Sequence, residues 1–146
     1  KSTKITKTKC DILFLEGWCC GSSEIPKEIL HKNINDLEKI RDTKYQWRNF
    51  YNNKLKLEYK KLFKLFDELI FLKTSSFDNV FKWRLKQEKT NLSKNKKSKR
   101  MTPNEIKFFI QHYEKITKWM MKDLNKKAQI VIKFEKNHKI SSLNFN

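Results

Sequence analysis

Three short apolar runs, Ile12–Leu15, Leu69–Leu72 and Ile130–Ile132, constrain this chain more than any other feature. Uninterrupted apolarity over so few residues reads as a strand buried on both faces, the condition of a strand inside a parallel sheet. The first run, Asp11-Ile-Leu-Phe-Leu-Glu16, closes on Gly17 and Trp18. Long stretches with helical periodicity lie between the runs, so the order is strand, helices, strand, helices, strand. That order predicts an α/β fold with a parallel sheet in which helix dominates, with strands at about 11–16, 69–73 and 129–134. Three strands are few for such a sheet and suggest part of a larger one.

From Asn35 to Asp67 the pattern is helical. Leu55, Tyr59, Leu62, Phe63 and Phe66 recur at three- and four-residue steps, with a break expected near Arg41-Asp42-Thr43. A further helix is predicted over about 77–91. Thr102-Pro103-Asn104-Glu105 is a clean helix start: Thr102 and Glu105 can cap each other reciprocally, and Pro103 sits where its missing N–H costs nothing. That helix is predicted to run to about Asn125 and to bury Ile106, Phe109, Ile110, Tyr113, Ile116 and Met120. Trp47, Phe63, Trp83 and Tyr113 are read as core. Residues 1–9 and 138–146 are read as flexible ends, and 92–101 as a mobile basic loop.

With four Trp and eleven Phe, the 146 residues can build a core although 34% of them are charged. No apolar stretch approaches the ~20 residues of a membrane span, and no secretory leader is visible, so no membrane partner is expected. The formal charge of +18 invites a nucleic-acid reading. Thirty of the 34 basic residues are Lys, however, and only Arg41, Arg48, Arg84 and Arg100 carry the planar fork that specific recognition favours. Thirteen Asn and two Gly accompany the lysines, a pattern that AT-rich codons would produce. Nucleic acid is therefore not the expected partner. Cys10, Cys19 and Cys20 are an odd set without metal spacing, pointing to free thiols in a reducing, cytoplasmic compartment.

Four segments carry a resemblance: D-I-L-F-L-E-G-W from Asp11, Y-Q-W-R-N-F from Tyr45, V-F-K-W-R-L-K-Q-E from Val80 and M-T-P-N-E-I-K-F-F-I-Q-H-Y-E from Met101. In this order and spacing they resemble the P-loop kinases of the D-glycerate 3-kinase type, relatives of uridine and pantothenate kinases. The resemblance covers nearly the whole chain, but the GxxxxGK[ST] phosphate loop is missing, since Gly17 and Gly21 are the two glycines. In the family that loop lies upstream, so residues 1–146 look like the C-terminal half of the kinase domain, inactive alone and completed by the N-terminal half of the same enzyme.

The resemblance implies transfer of the γ-phosphoryl group of ATP to a hydroxyl of a small molecule, most directly D-glycerate, with Mg²⁺ neutralising charge. It places Glu16 at the Mg²⁺, directly or through water, and Gly17 and Trp18 beside the acceptor. Arg84 would grip the transferring phosphates, with a surface ion pair to Glu88 as its plain alternative. Lys99 and Arg100 would reach phosphate from a lid-like loop over 92–101. The rival readings are another hydroxyl acceptor of the uridine or pantothenate type, a basic nucleic-acid-binding module, and a decayed kinase without catalysis. The family's phosphate-loop strand lies between the first two strands seen here, so 11–16 and 69–73 are not expected to pair.

Overall fold

The computed structural model describes residues 9–94 and 100–146. Most of the Lys-rich start, and Lys99 with the middle of the expected lid-like loop, lie outside the described residues. The elements are short helices α1 (Lys27–Leu30), α2 (Asp36–Arg41) and α3 (Gln46–Lys54), a π-helical turn (Leu55–Tyr59), α4 (Lys60–Phe63), β1 (Ile70–Thr74), α5 (Phe77–Lys94), α6 (Pro103–Lys127), β2 (Ile130–Phe134) and β3 (Ile140–Phe145). Helix dominates a three-stranded mixed sheet of order β1-β2-β3, with β1 parallel and β3 antiparallel to β2.

The first predicted strand is corrected: 11–16 forms no strand, and Leu13 and Phe14 are 86% and 82% exposed. With no strand at 11–16 there is none to pair with β1. A strand exists only through a partner's backbone, and no described strand lies beside this run. The third strand comes instead from 140–145, read from sequence as a flexible end. It is joined to β2 by a tight hairpin in which Glu135 N–H donates to Lys139 O at 2.8 Å and His138 adopts φ 65°. His is among the residues enriched in this left-handed region, so the turn forms without glycine.

Helix α6 is the spine. Thr102 and Glu105 form the reciprocal cap, with Thr102 N–H donating to Glu105 Oε2 at 2.7 Å and Glu105 N–H to Thr102 Oγ1 at 3.2 Å. One face of α6 buries Ile116, Met120 and Leu124 against Phe71 of β1, Val131 of β2, Ile25, Leu30 and Leu55. Each such burial removes apolar surface from water and contributes about 1.5–3 kcal/mol. Phe109 and Tyr113, expected in this core, are not fully buried.

A second, ionic centre joins the helices. Arg48 is 1% exposed. Its Nε donates to Asp42 Oδ2 at 2.8 Å, its Nη1 to Asn33 Oδ1 at 2.9 Å and its Nη2 to Asp42 O at 2.8 Å, while its Cζ lies 4.7 Å from the centroid of the Tyr45 ring. Glu38 Oε2 lies 3.5 Å from Arg48 Nη1 and 3.1 Å from Lys115 Nζ on α6. The two Asp42 oxygens also accept the N–H groups of Trp47 and Arg48, opening α3 after the predicted break. Two cations and two carboxylates thus balance, and no buried side-chain nitrogen or oxygen lacks a partner among the described residues.

Burial alone would raise the Asp42 carboxyl. Hydrogen bonds from the Arg48 side chain and from the Trp47 and Arg48 amides, with the Arg48 charge, outweigh it and hold Asp42 below its ordinary value. A carboxyl depressed in the folded state stabilises fully above its unfolded pKa of about 4 and loses that contribution as pH falls through the folded value. Asp42→Asn is therefore expected to lower the urea midpoint at neutral pH, with the gap to wild type shrinking below about pH 4. A gap constant down to strongly acid pH would show that the charge of Asp42 contributes nothing.

Candidate functional site

An open cleft of about 630 Å³ runs along β1, α5 and α6 and reaches the last residues of β1 and β2, the end at which open α/β sheets hold ligands. Phe71 and Thr74 of β1, Phe134 of β2, Trp83 and Arg84 of α5, Tyr113 of α6 and Trp18 all contribute to its lining. The cleft is largely apolar, and among the described residues that line it none is a carboxylate.

Trp18 reaches it from the turn after 11–16. Cys20 N–H donates to Gly17 O at 3.3 Å, and a Cβ on Gly17 would meet Cys20 Sγ at 2.7 Å, so Gly17 makes room for this turn. Beyond the turn, Ser23 Oγ donates to Asp123 Oδ2 at 2.7 Å and accepts from Trp119 Nε1 at 3.2 Å, fastening the segment to α6. The Asn52 side chain receives Ile25 N–H and donates to Ile25 O, fastening it to α3. Trp18 then meets Tyr113 edge to face, with centroids 4.8 Å apart.

On the opposite wall, Trp83 stacks on His138 at 4.4 Å and donates through Nε1 to Lys136 O at 2.9 Å. Trp83 and Tyr113, read as core from the sequence, are thus walls of the cleft. Helical periodicity gives a core-facing stripe and a cleft-facing stripe the same signature. His138 could have been flagged only through its hairpin turn.

Arg84 also lines the cleft, and its ion pair with Glu88 is present: Nη1 lies 2.9 Å from Glu88 Oε2. Nη1 also donates to Gln87 Oε1 at 3.1 Å, and Cζ lies 5.9 Å from the Phe109 centroid. Thr74 Oγ1 is engaged too, donating to Ser76 O and accepting from Asn79 Nδ2. Glu16 is exposed two residues before Trp18, with no hydrogen bond or ion pair to another described residue. Arg100 is exposed beside Met101, whose sulfur touches Arg84 Nη2 at 3.9 Å. Residues 92–94, expected in the basic loop, belong to α5. The structure therefore brings Trp18 and Arg84 to one cleft, with Glu16 in the segment leading to Trp18.

Burial raises the Cys19 thiol, and neighbouring Cys20 adds to this; burial also raises Cys20. Neither is an activated nucleophile. Among the described residues no three His, Cys, Asp or Glu side chains gather as a metal cage. No helix is long and apolar enough to cross a membrane.

No family model matches the sequence, and no curated protein matches it. Among solved structures, the chain superposes on the D-glycerate 3-kinase from Cryptococcus neoformans var. grubii serotype A with a TM-score of 0.72 at 19% identity, covering 97% of this chain and 52% of that one. It superposes on the YGR205w protein with a TM-score of 0.56 at 22% identity, covering 88% of this chain and 45% of that one. The chain thus spans about half the length of each neighbour. It shares the fold of the matched part of D-glycerate 3-kinase, a helix-dominated α/β arrangement in which nearly all of this sequence takes part.

Proposed function

We propose that this chain is the C-terminal part of an ATP-dependent kinase that phosphorylates a hydroxyl of a small molecule, D-glycerate being the first candidate. One observation carries the reading. Trp18 and Arg84 line one cleft, in a chain that matches the fold of D-glycerate 3-kinase over 97% of its length. Phosphoryl transfer asks the protein mainly to position its reactants and to neutralise charge. A guanidinium already oriented by Glu88 and Gln87 suits the second task, and the aromatic walls suit exclusion of water.

ATP and Mg²⁺ are the implied cofactors. Mg²⁺ usually keeps several waters and takes one or two carboxylates besides phosphate oxygens, so the exposed Glu16 carboxylate fits it. The chain carries no GxxxxGK[ST], and the phosphate cradle is assigned to a preceding segment of the same protein. Arg100, next to Met101 whose sulfur meets Arg84, supplies a further cation, and Lys99 lies outside the described residues. Within this chain Glu16 would hold the metal, Arg84 the transferring group, and Gly17 and Trp18 would shape the acceptor side.

The test is ATP-dependent phosphorylation of D-glycerate, uridine and pantothenate by a protein containing this chain together with the phosphate-loop segment. Arg84→Gln and Glu16→Ala are each expected to lower kcat/KM for the true acceptor by about 10²–10³-fold, the scale of losing one electrostatic contact to a transition state. Transfer to none of the three compounds would remove the acceptors proposed. Transfer unaffected by both substitutions would remove the site.

A further inference from the structure

We propose that Glu88 is the positioning residue for Arg84: it holds one corner of the guanidinium and leaves the opposite edge free to clamp a phosphate. The proposal rests on the phosphate-binding reading of Arg84 above, and it comes from how the donors are divided. Glu88 Oε2 and Gln87 Oε1 both fall on Nη1, at 2.9 and 3.1 Å. Nη2 meets only the Met101 sulfur, a weak acceptor, at 3.9 Å, and Nε makes no hydrogen bond to another described residue. The Nε–Nη2 edge carries the parallel N–H pair that matches two oxygens of a phosphate or carboxylate. No oxygen of a described residue occupies it.

Glu88 is placed to do this with little freedom. Its side chain is 15% exposed, and its second oxygen, Oε1, accepts Met101 N–H at 3.2 Å, just ahead of the capped start of α6. One carboxylate therefore fixes Arg84 on α5 and fastens α5 to the entrance of α6. The Phe109 ring supports one face of the guanidinium. Among the described residues that line the cleft none is a carboxylate, so the negative charge nearest Arg84 is Glu88, which sits on Nη1 and not on the free edge. An ion pair serving the fold alone has no need to gather its acceptors on one nitrogen beside a cleft.

The experiment is solution NMR of a ¹⁵N-labelled protein containing this chain together with the phosphate-loop segment, following the Arg84 guanidinium and the Met101 amide while titrating inorganic tripolyphosphate. Glu88→Gln keeps the size and an oxygen acceptor for Met101 N–H, so Met101 is expected to stay protected from exchange, which reports an intact fold. In wild type the Arg84 guanidinium is expected to rotate slowly and its Nε–H signal to shift on titration. In Glu88→Gln the rotation is expected to be freed, and affinity read at that signal to fall about five- to tenfold, the scale of one charge-assisted hydrogen bond. The many lysines bind tripolyphosphate too, so only the Arg84 signal counts. Equal or tighter binding at Arg84 in Glu88→Gln overturns the proposal, as does unchanged rotation. A wild-type Arg84 signal indifferent to tripolyphosphate, with rotation freed in Glu88→Gln, upholds Glu88 as the holding group and removes the phosphate role of Arg84.

Discussion

Arg48→Met is expected to cost about 3–5 kcal/mol of folding stability, the loss that follows removal of one partner from a buried ion pair. Methionine fills much of the space, so the loss is not chiefly one of packing. What remains is a pair of carboxylates, Asp42 and Glu38, of which Glu38 keeps Lys115 and Asp42 keeps only two backbone amides. The Leu30 carbonyl and the side chain of Asn33 lose this donor as well, while the Asp42 carbonyl keeps Tyr45 N–H. Arg48→Lys is expected to recover less than half of the loss, because an ammonium cannot reach these acceptors as a planar fork can. Chemical denaturation read by tryptophan fluorescence measures both. A loss below about 1 kcal/mol for Arg48→Met would mean that the network merely breaks even against an apolar filling.

The second large effect concerns self-association. The Ile12–Leu15 run is exposed, the sheet offers β1 as an unpaired edge, and Ile70 and Leu72 on that edge are also exposed. An apolar edge with free N–H and C=O groups is a template for another chain. The chain alone is therefore expected to associate at micromolar concentration, as species with unpaired strand edges do. Leu13→Lys combined with Phe14→Lys is expected to shift that onset about tenfold upward with no loss of unfolding free energy, since neither side chain is buried. Sedimentation velocity across a concentration series reads both chains. A monomer at high concentration in wild type, or identical association in the double variant, would show that this run does not drive contact.

The fold class was legible because apolar runs and helical periodicity are local signals, and the start of α6 was legible down to its capping pair. Strand 140–145 was not, because Ile140, Leu143 and Phe145 are exposed and the strand is held by backbone pairing with β2, which leaves no hydrophobic pattern. The 11–16 run failed for the opposite reason: its composition suits a strand, but strand geometry needs a neighbour. Arg48 and Arg84 each follow a tryptophan by one position in a helical segment, and nothing local separates them. Lys115 and Glu38 make the first a buried staple, while the cleft beside α5 gives the second its exposure. Both distinctions are long-range, as are those that turned Trp83 and Tyr113 from core into cleft wall.

The ionic centre also joins parts of the chain at very different separations. Arg48 and Asp42 lie six residues apart and can meet as soon as α3 begins to coil. Lys115 donates to the carbonyl of Ile29, 86 residues back along the chain, so its arrival closes a long loop. Without Lys115 the carboxylates of Asp42 and Glu38 outnumber Arg48. The first third of the chain therefore balances its buried charge only through a lysine of its last third.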